Sequence, residues 1–253
     1  MAKRKKKRTV VFENAVNILA FSSAVGPKEA EGPLQNYFDL KFQDEFLGED
    51  SFEKAESRLQ QLSVETTLKK ANVNKSEVDM IFAGDLLNQC IGSAYGLREL
   101  EIPFVGLYGA CSTMALSLIM ASTMVESKAA EKAIAVTSSH FCSSERQFRF
   151  PLEYGGQRPP TAQWTVTGAG SVLVGSSEDK IKVKGYTVGK IVDLNVTDMN
   201  NMGAAMAPDD VKIRPYPTNE GMVFFYTQIQ YLRGFRALFN CFKPYKLHCK
   251  NRE

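Results

Sequence analysis

The chain has 253 residues, 44% of them hydrophobic and 23% charged, enough to bury a sizeable core in one large domain or two small ones. No apolar run reaches the roughly 20 residues that span a bilayer. The basic start, Lys3 to Arg8, runs into Glu13 and Asn14 rather than a signal-peptide core, which predicts an intracellular protein.

Five cysteines (Cys90, Cys111, Cys142, Cys241, Cys249) stand at irregular spacing with no CxxC pair. The pattern offers no zinc site and predicts free thiols. The formal net charge of +3 is unevenly spread. Setting aside the six basic residues of 3–8, and the eight basic and two acidic residues of 211–253, leaves 17 basic against 26 acidic residues, or −9. An acidic body with basic ends is not a nucleic-acid-binding surface. The basic start is either a solvated tail or a contact for an anionic membrane, where each Lys or Arg is worth about 1 kcal/mol.

In chain order, Val16–Phe21 reads as a buried strand. Ser22 to Asp50 reads as a loop, with turns at Gly26-Pro27 and Gly32-Pro33. Ser51 is a candidate N-cap, and Phe52, Ala55, Leu59 and Leu62 follow at helical spacing, predicting an amphipathic helix to about Lys70. Val78–Ala83 reads as a strand ending at Gly84-Asp85, Ile91 to about Leu100 as a helix, and Pro103–Tyr108 as a strand. Ser112 to about Ser127 is a nearly all-apolar helix, which predicts burial on most sides. Ala133–Thr137 is a strand, Ser138 to Thr165 a long polar stretch, and Val172–Val174 and Ile181–Val188 are later strands.

Alternating strands and helices predict an α/β fold with a mainly parallel sheet. Ligands collect at the carboxyl ends of strands in such sheets. Three polar groups fall at those ends and are expected along one rim: Gly84-Asp85, Ala110-Cys111 and Ser138-Ser139-His140.

Cys111 follows a strand and precedes a helix. The free N–H groups and dipole of a helix start favour a thiolate, or an anion beside it. The position therefore suits a covalent nucleophile, an anion seat, or a small packed residue. His140 is a structural hydrogen-bonder, a base for Cys111, or a donor to an anionic ligand. Asp85 is either an N-cap for the next helix or a site carboxylate. Arg146 and Arg149 could clamp a carboxylate, or lie on the surface. Thr165-Val166-Thr167-Gly168-Ala169-Gly170 lacks the phosphate-loop pattern.

The run strand–Gly109-Ala110-Cys111–apolar helix, followed by a Gly-Ala-Gly strand, resembles the first half of a thiolase-type condensing enzyme. Gly26-Pro27-Lys28-Glu29, Glu31-Gly32-Pro33-Leu34, Ala83-Gly84-Asp85-Leu86-Leu87-Asn88-Gln89 and Thr137-Ser138-Ser139-His140 narrow the likeness. Ser144-Glu145-Arg146-Gln147-Phe148-Arg149-Phe150-Pro151, Glu153-Tyr154-Gly155-Gly156-Gln157 and Met202-Gly203-Ala204-Ala205-Met206-Ala207-Pro208 complete it. From about Val10 to Pro208 the chain resembles the stage V sporulation protein AD family.

The resemblance implies the N-terminal half of a thiolase-like fold, with a mainly parallel five-stranded sheet and a buried helix. It implies binding of dipicolinic acid (pyridine-2,6-dicarboxylate), alone or as its calcium chelate, for uptake in sporulation and release at germination. It further implies a peripheral place at the spore inner membrane, other SpoVA membrane proteins as partners, a homodimer, and no cofactor or metal. The ligand-binding residues it carries over are Asp85, Cys111 and His140, with Arg146 and Arg149. The enzyme alternative is an acyl-condensing activity with Cys111 as nucleophile, for which no complete catalytic set is visible.

Three segments are expected: a basic tail over 1–9, the thiolase-like half over 10–208, and a divergent or frameshifted basic, aromatic segment over 209–253. After Asp209-Asp210 the chain turns to runs such as Phe224-Phe225-Tyr226, without strand–helix alternation.

Overall fold

The computed structural model describes residues 2–4, 7–148, 165–177, 181–189 and 222–226. Their elements in chain order are β1 (Lys3–Arg4), β2 (Thr9–Val25), α1 (Pro27–Ala30), β3 (Leu40–Lys41), α2 (Phe52–Ala71), β4 (Met80–Gly84) and α3 (Ile91–Leu97). Next come β5 (Phe104–Gly106), α4 (Thr113–Glu126), β6 (Lys132–Ser139), α5 (Phe141–Phe148), β7 (Gly168–Gly175), β8 (Ile181–Val188) and β9 (Met222–Tyr226).

All the described strands join one sheet, ordered β5-β4-β6-β7-β2-β8-β9, with β1 and β3 pairing on β2. The expectation of a mainly parallel five-stranded sheet is corrected here. The sheet has nine strands and is mixed: β4 is parallel to β5 and β6, whereas β7 runs antiparallel to both β6 and β2. The physical reason is β2. It is far longer than Val16–Phe21 and runs through Ser22–Val25, the expected loop, because those residues pair with Ser171–Gly168 of β7. The basic start is likewise not all tail, since Lys3 and Arg4 fold back onto Val11 and Val10, and Lys3 pairs with Glu13. Within the expected polar stretch lies α5. Of residues 209–253, only β9 is described; it pairs parallel with β8.

Period-two alternation sends side chains to two covered faces. Ile81, Ala83, Ile134, Val136 and Leu173 pack against Val64 and Leu68 of α2. Phe82, Ala133, Ala135 and Val174 pack against Leu118, Ala121 and Val125 of α4 on the other face. Every residue of α4 is buried or half-buried, as its composition predicts.

Helix α2 starts where Ser51 accepts from the Lys54 N–H at 3.3 Å and ends where Asn72 turns left-handed at φ 54. Its buried face carries an unexpected stripe: Glu56, Gln60, Ser63 and Thr67, each 0% exposed, at spacings of four, three and four. Ser63 and Thr67 meet Ser22 of β2 and Ser171 of β7. Ser22 and Ser171 both donate to the Ser63 carbonyl, at 2.6 and 2.9 Å, and Thr67 donates to Ser22 at 2.9 Å.

Candidate functional site at the strand carboxyl ends

The three candidate groups do share one rim. β5, β4 and β6 are neighbouring parallel strands, with Ala83 opposite Gly106 and Gly84 opposite Thr137. Their carboxyl ends deliver Asp85, the Leu107–Ser112 segment and Ser138–His140 to the same side.

Cys111 is half-buried in a single 3-10 turn, Ala110–Ser112, so it precedes α4 rather than opening it. Ala110 is held at φ 51, a strained value for a residue with a Cβ. The Gly109 N–H donates to Thr113 Oγ1 at 3.1 Å, and the Ser112 hydroxyl donates back to the Gly109 carbonyl at 2.6 Å. Ser112 therefore does not cap α4, and no acidic residue stands in the helix's first turn. This turn lies tight over β4. A Cβ on Gly84 would sit 2.0 Å from the Leu107 carbonyl oxygen and 2.5 Å from Thr113 Cγ2, so only glycine fits.

Asp85 turns inward. One oxygen accepts from the Leu87 N–H at 2.8 Å; the other accepts from the Ser93 N–H at 2.7 Å and the Ser93 hydroxyl at 2.6 Å. It ties the strand end to α3, close to the N-cap role. Burial raises its pKa, opposed by those donors.

His140 is 0% exposed. Its Nε2 reaches the Glu45 carbonyl at 2.8 Å, and its Nδ1 accepts from the Cys142 N–H at 3.2 Å. Those partners fix the Nε2–H tautomer. Phe52 stacks at 5.1 Å, and burial lowers the ring's pKa. The residue therefore sits neutral, holding the Glu45 loop. Arg146 falls in α5 with its side chain outside the described part, and Arg149 lies outside the described residues.

Sequence reasoning missed Glu56. Its Oε1 accepts from the Ser138 hydroxyl at 3.1 Å and its Oε2 from the Ser143 hydroxyl at 2.9 Å; the His140 backbone N–H also bonds to the carboxyl. Burial, then the neighbouring Asp85, push its pKa up to about 8. Gln60, one turn on, donates to the Gly84 carbonyl at 3.3 Å and to Ser93 Oγ at 3.1 Å. The available signal was the four-three-four polar spacing, which elsewhere marks a solvated face.

Among the described residues no helix is long and apolar enough to cross a membrane, and no cluster of three metal-ligating side chains occurs.

Residues 6–215 match the family model for Stage V sporulation protein AD. The chain is 44% identical over 202 residues to the Stage V sporulation protein AD of Bacillus subtilis (strain 168), covering 80% of this chain and 60% of that protein. Among solved structures, 3-oxoacyl-[acyl-carrier-protein] synthase III from Aquifex aeolicus VF5 is 16% identical with a TM-score of 0.46, covering 65% of this chain and 55% of that one. Cerulenin-bound OleA of Xanthomonas campestris is 13% identical with a TM-score of 0.48, covering 69% and 61%. The chain thus spans about three fifths of the relatives it matches, and it belongs to the Stage V sporulation protein AD family.

Proposed function

We propose that the protein binds dipicolinate at the rim formed by β5, β4 and β6, and serves its uptake in sporulation and its release in germination. One observation carries the reading. The Gly109–Ser112 turn brings the start of a 14-residue helix to the rim, with no side-chain cap and no acid in its first turn. Such a helix start offers N–H donors and a positive dipole end to a carboxylate. Cys111 lines the seat, and Asp85 and His140 hold its walls from behind.

The ligand is free dipicolinate or its calcium chelate. The partners in this reading are the other SpoVA proteins, with the protein peripheral at the spore inner membrane. The condensing-enzyme reading is weakened by His140. Both its ring nitrogens are engaged within the fold, which leaves it no role as a base for Cys111.

Calorimetric titration of dipicolinate into the full chain tests the proposal, with pyridine-2-carboxylate as a one-armed control. Saturable heat that Cys111→Trp abolishes and Cys111→Ser largely keeps is the expected result. No saturable heat from the dicarboxylate, with or without calcium, refutes it. Rapid acylation of Cys111 by an acyl-CoA would instead favour the enzyme.

A further inference from the structure

The carboxyl group of Glu56 lies where three elements meet. It hangs from α2, is bonded by Ser138 at the end of β6 and by Ser143 of α5, and takes the His140 N–H between them. Across from it stands Asp85, which binds the end of β4 to the start of α3. Gln60 completes the bridge from α2 to Gly84 and Ser93. Two buried acids thus face each other behind the rim. The other titratable groups on this cluster are His140, neutral by burial, with Glu45 against it, and Cys90 and Tyr108, both on the Asp85 side. Among the described residues, the charge acting on Glu56 is that of Asp85, and no lysine or arginine among them offsets it.

We propose that Glu56 is a positioning residue of the rim: with its proton on, it holds the end of β6 and the start of α5 to α2, whose Gln60 holds the end of β4, and loss of that proton loosens this tie. The proton matters because a second buried negative charge beside Asp85, without a cation, is costly. The direction of the pKa, raised by burial and by Asp85, agrees. The consequence for the ligand rests on the dipicolinate reading. A dianion at the rim meets one buried negative charge below the titration and two above it, so binding weakens as Glu56 ionises.

Two measurements on the full chain, wild type and Glu56→Gln, test this from pH 6 to 9. The first is hydrogen exchange of the ligand-free protein at the amides of Leu87, Ser93, His140 and Ser144, expressed as protection factors. Wild-type protection should fall by up to about tenfold per pH unit as pH rises toward the folded-state pKa of about 8 and level off above it, while E56Q stays level throughout. The second is dipicolinate titration over the same range. The wild-type Kd should rise by up to about tenfold per unit above the same pH, and the E56Q Kd should not.

Parallel protection profiles in the two proteins overturn the proposal whatever the ligand does. Diverging protection with no dipicolinate heat upholds Glu56 and removes the ligand instead. Should E56Q fail to fold, Ser143→Ala in the wild-type background is the second variant. It removes a donor that favours the charged form, so it should move the pH at which the protection loss levels off to a higher value, and an unmoved levelling-off counts against the proposal.

Discussion

The hydroxyl cluster between α2 and the sheet makes a sharp test of how the buried polar stripe is tolerated. Thr67→Val keeps the shape and removes one hydroxyl. Thr67 Oγ1 bonds Ser22 Oγ at 2.9 Å and Ser171 Oγ at shorter range, with the Ser171 carbonyl at 3.4 Å. All four residues are at most 4% exposed, so water cannot replace a lost partner. Ser22 and Ser171 would keep the Ser63 carbonyl as acceptor for their own protons. The loss is therefore that of hydrogen bonds rather than of a fully orphaned donor, which costs about 1–2 kcal/mol. Ser171→Ala should cost a similar amount, with a small cavity contribution added.

The double variant is the informative one. Removing both ends of an interaction costs less than the sum of removing each, because no stranded partner remains. A coupling of about 1 kcal/mol is expected for residues in direct contact. Urea unfolding followed by far-UV circular dichroism, with a shared m-value, reads all three variants. Strict additivity, or a stabilised T67V, would refute the account of this cluster as a mutually satisfied network.

Gly84→Ala forces a Cβ against the Leu107 carbonyl oxygen, and should cost at least about 3 kcal/mol or prevent folding, checked by soluble yield and Tm. His140 has a folded pKa below its unfolded value, so its contribution is intact above the unfolded pKa of about 6.5 and is lost as pH falls through the folded one. His140→Gln should therefore flatten the acid limb of the stability profile below about pH 6.5. β5 is an edge strand, and Phe104, Val105, Tyr108, Ile91 and Tyr95 near it are all exposed, which fits pairing with a second copy. Val105→Lys should shift the protein toward monomer in sedimentation velocity; an unchanged state places any dimer elsewhere.

What the sequence made legible follows from local chemistry. Ser51 announces α2 because an N-cap acts within one turn. The bare apolar run of α4 announces a helix covered on most sides. The rim was legible too, because parallel neighbours must present their carboxyl ends together. Antiparallel β7 was not. Val172–Val174 is a short apolar run whichever way it points, and its direction is set by pairing with β2, 149 residues away at Ser22–Ser171. The polar stripe of α2 was hidden for a different reason. Glu56, Gln60, Ser63 and Thr67 carry the pattern of a solvated face, and partners brought by β2, β6, β7, α3 and α5, chiefly serines, make their burial tolerable. Asp85 and His140 were legible as polar residues at strand ends. That both turn inward depends on Ser93 and on the Glu45 carbonyl, neither of which periodicity can place.

On the proposed dipicolinate reading, the inward turn of Asp85 answers the electrostatic difficulty of seating a dianion beside an acid. A carboxylate exposed to the rim would repel dipicolinate in a medium of low dielectric. Asp85 instead spends its two oxygens on donors from Leu87, Gly92 and Ser93, which draw its charge into the start of α3. Glu56, the second acid, holds its proton at neutral pH because burial and Asp85 both oppose ionisation. Two acids behind the rim therefore amount to one compensated charge, and α4 opens at the rim without an acid in its first turn. On the proposed dipicolinate reading, the seat tolerates an anion so long as Glu56 stays protonated, which would make a carboxylate in α2, 55 positions before Cys111, as consequential for binding as the thiol itself.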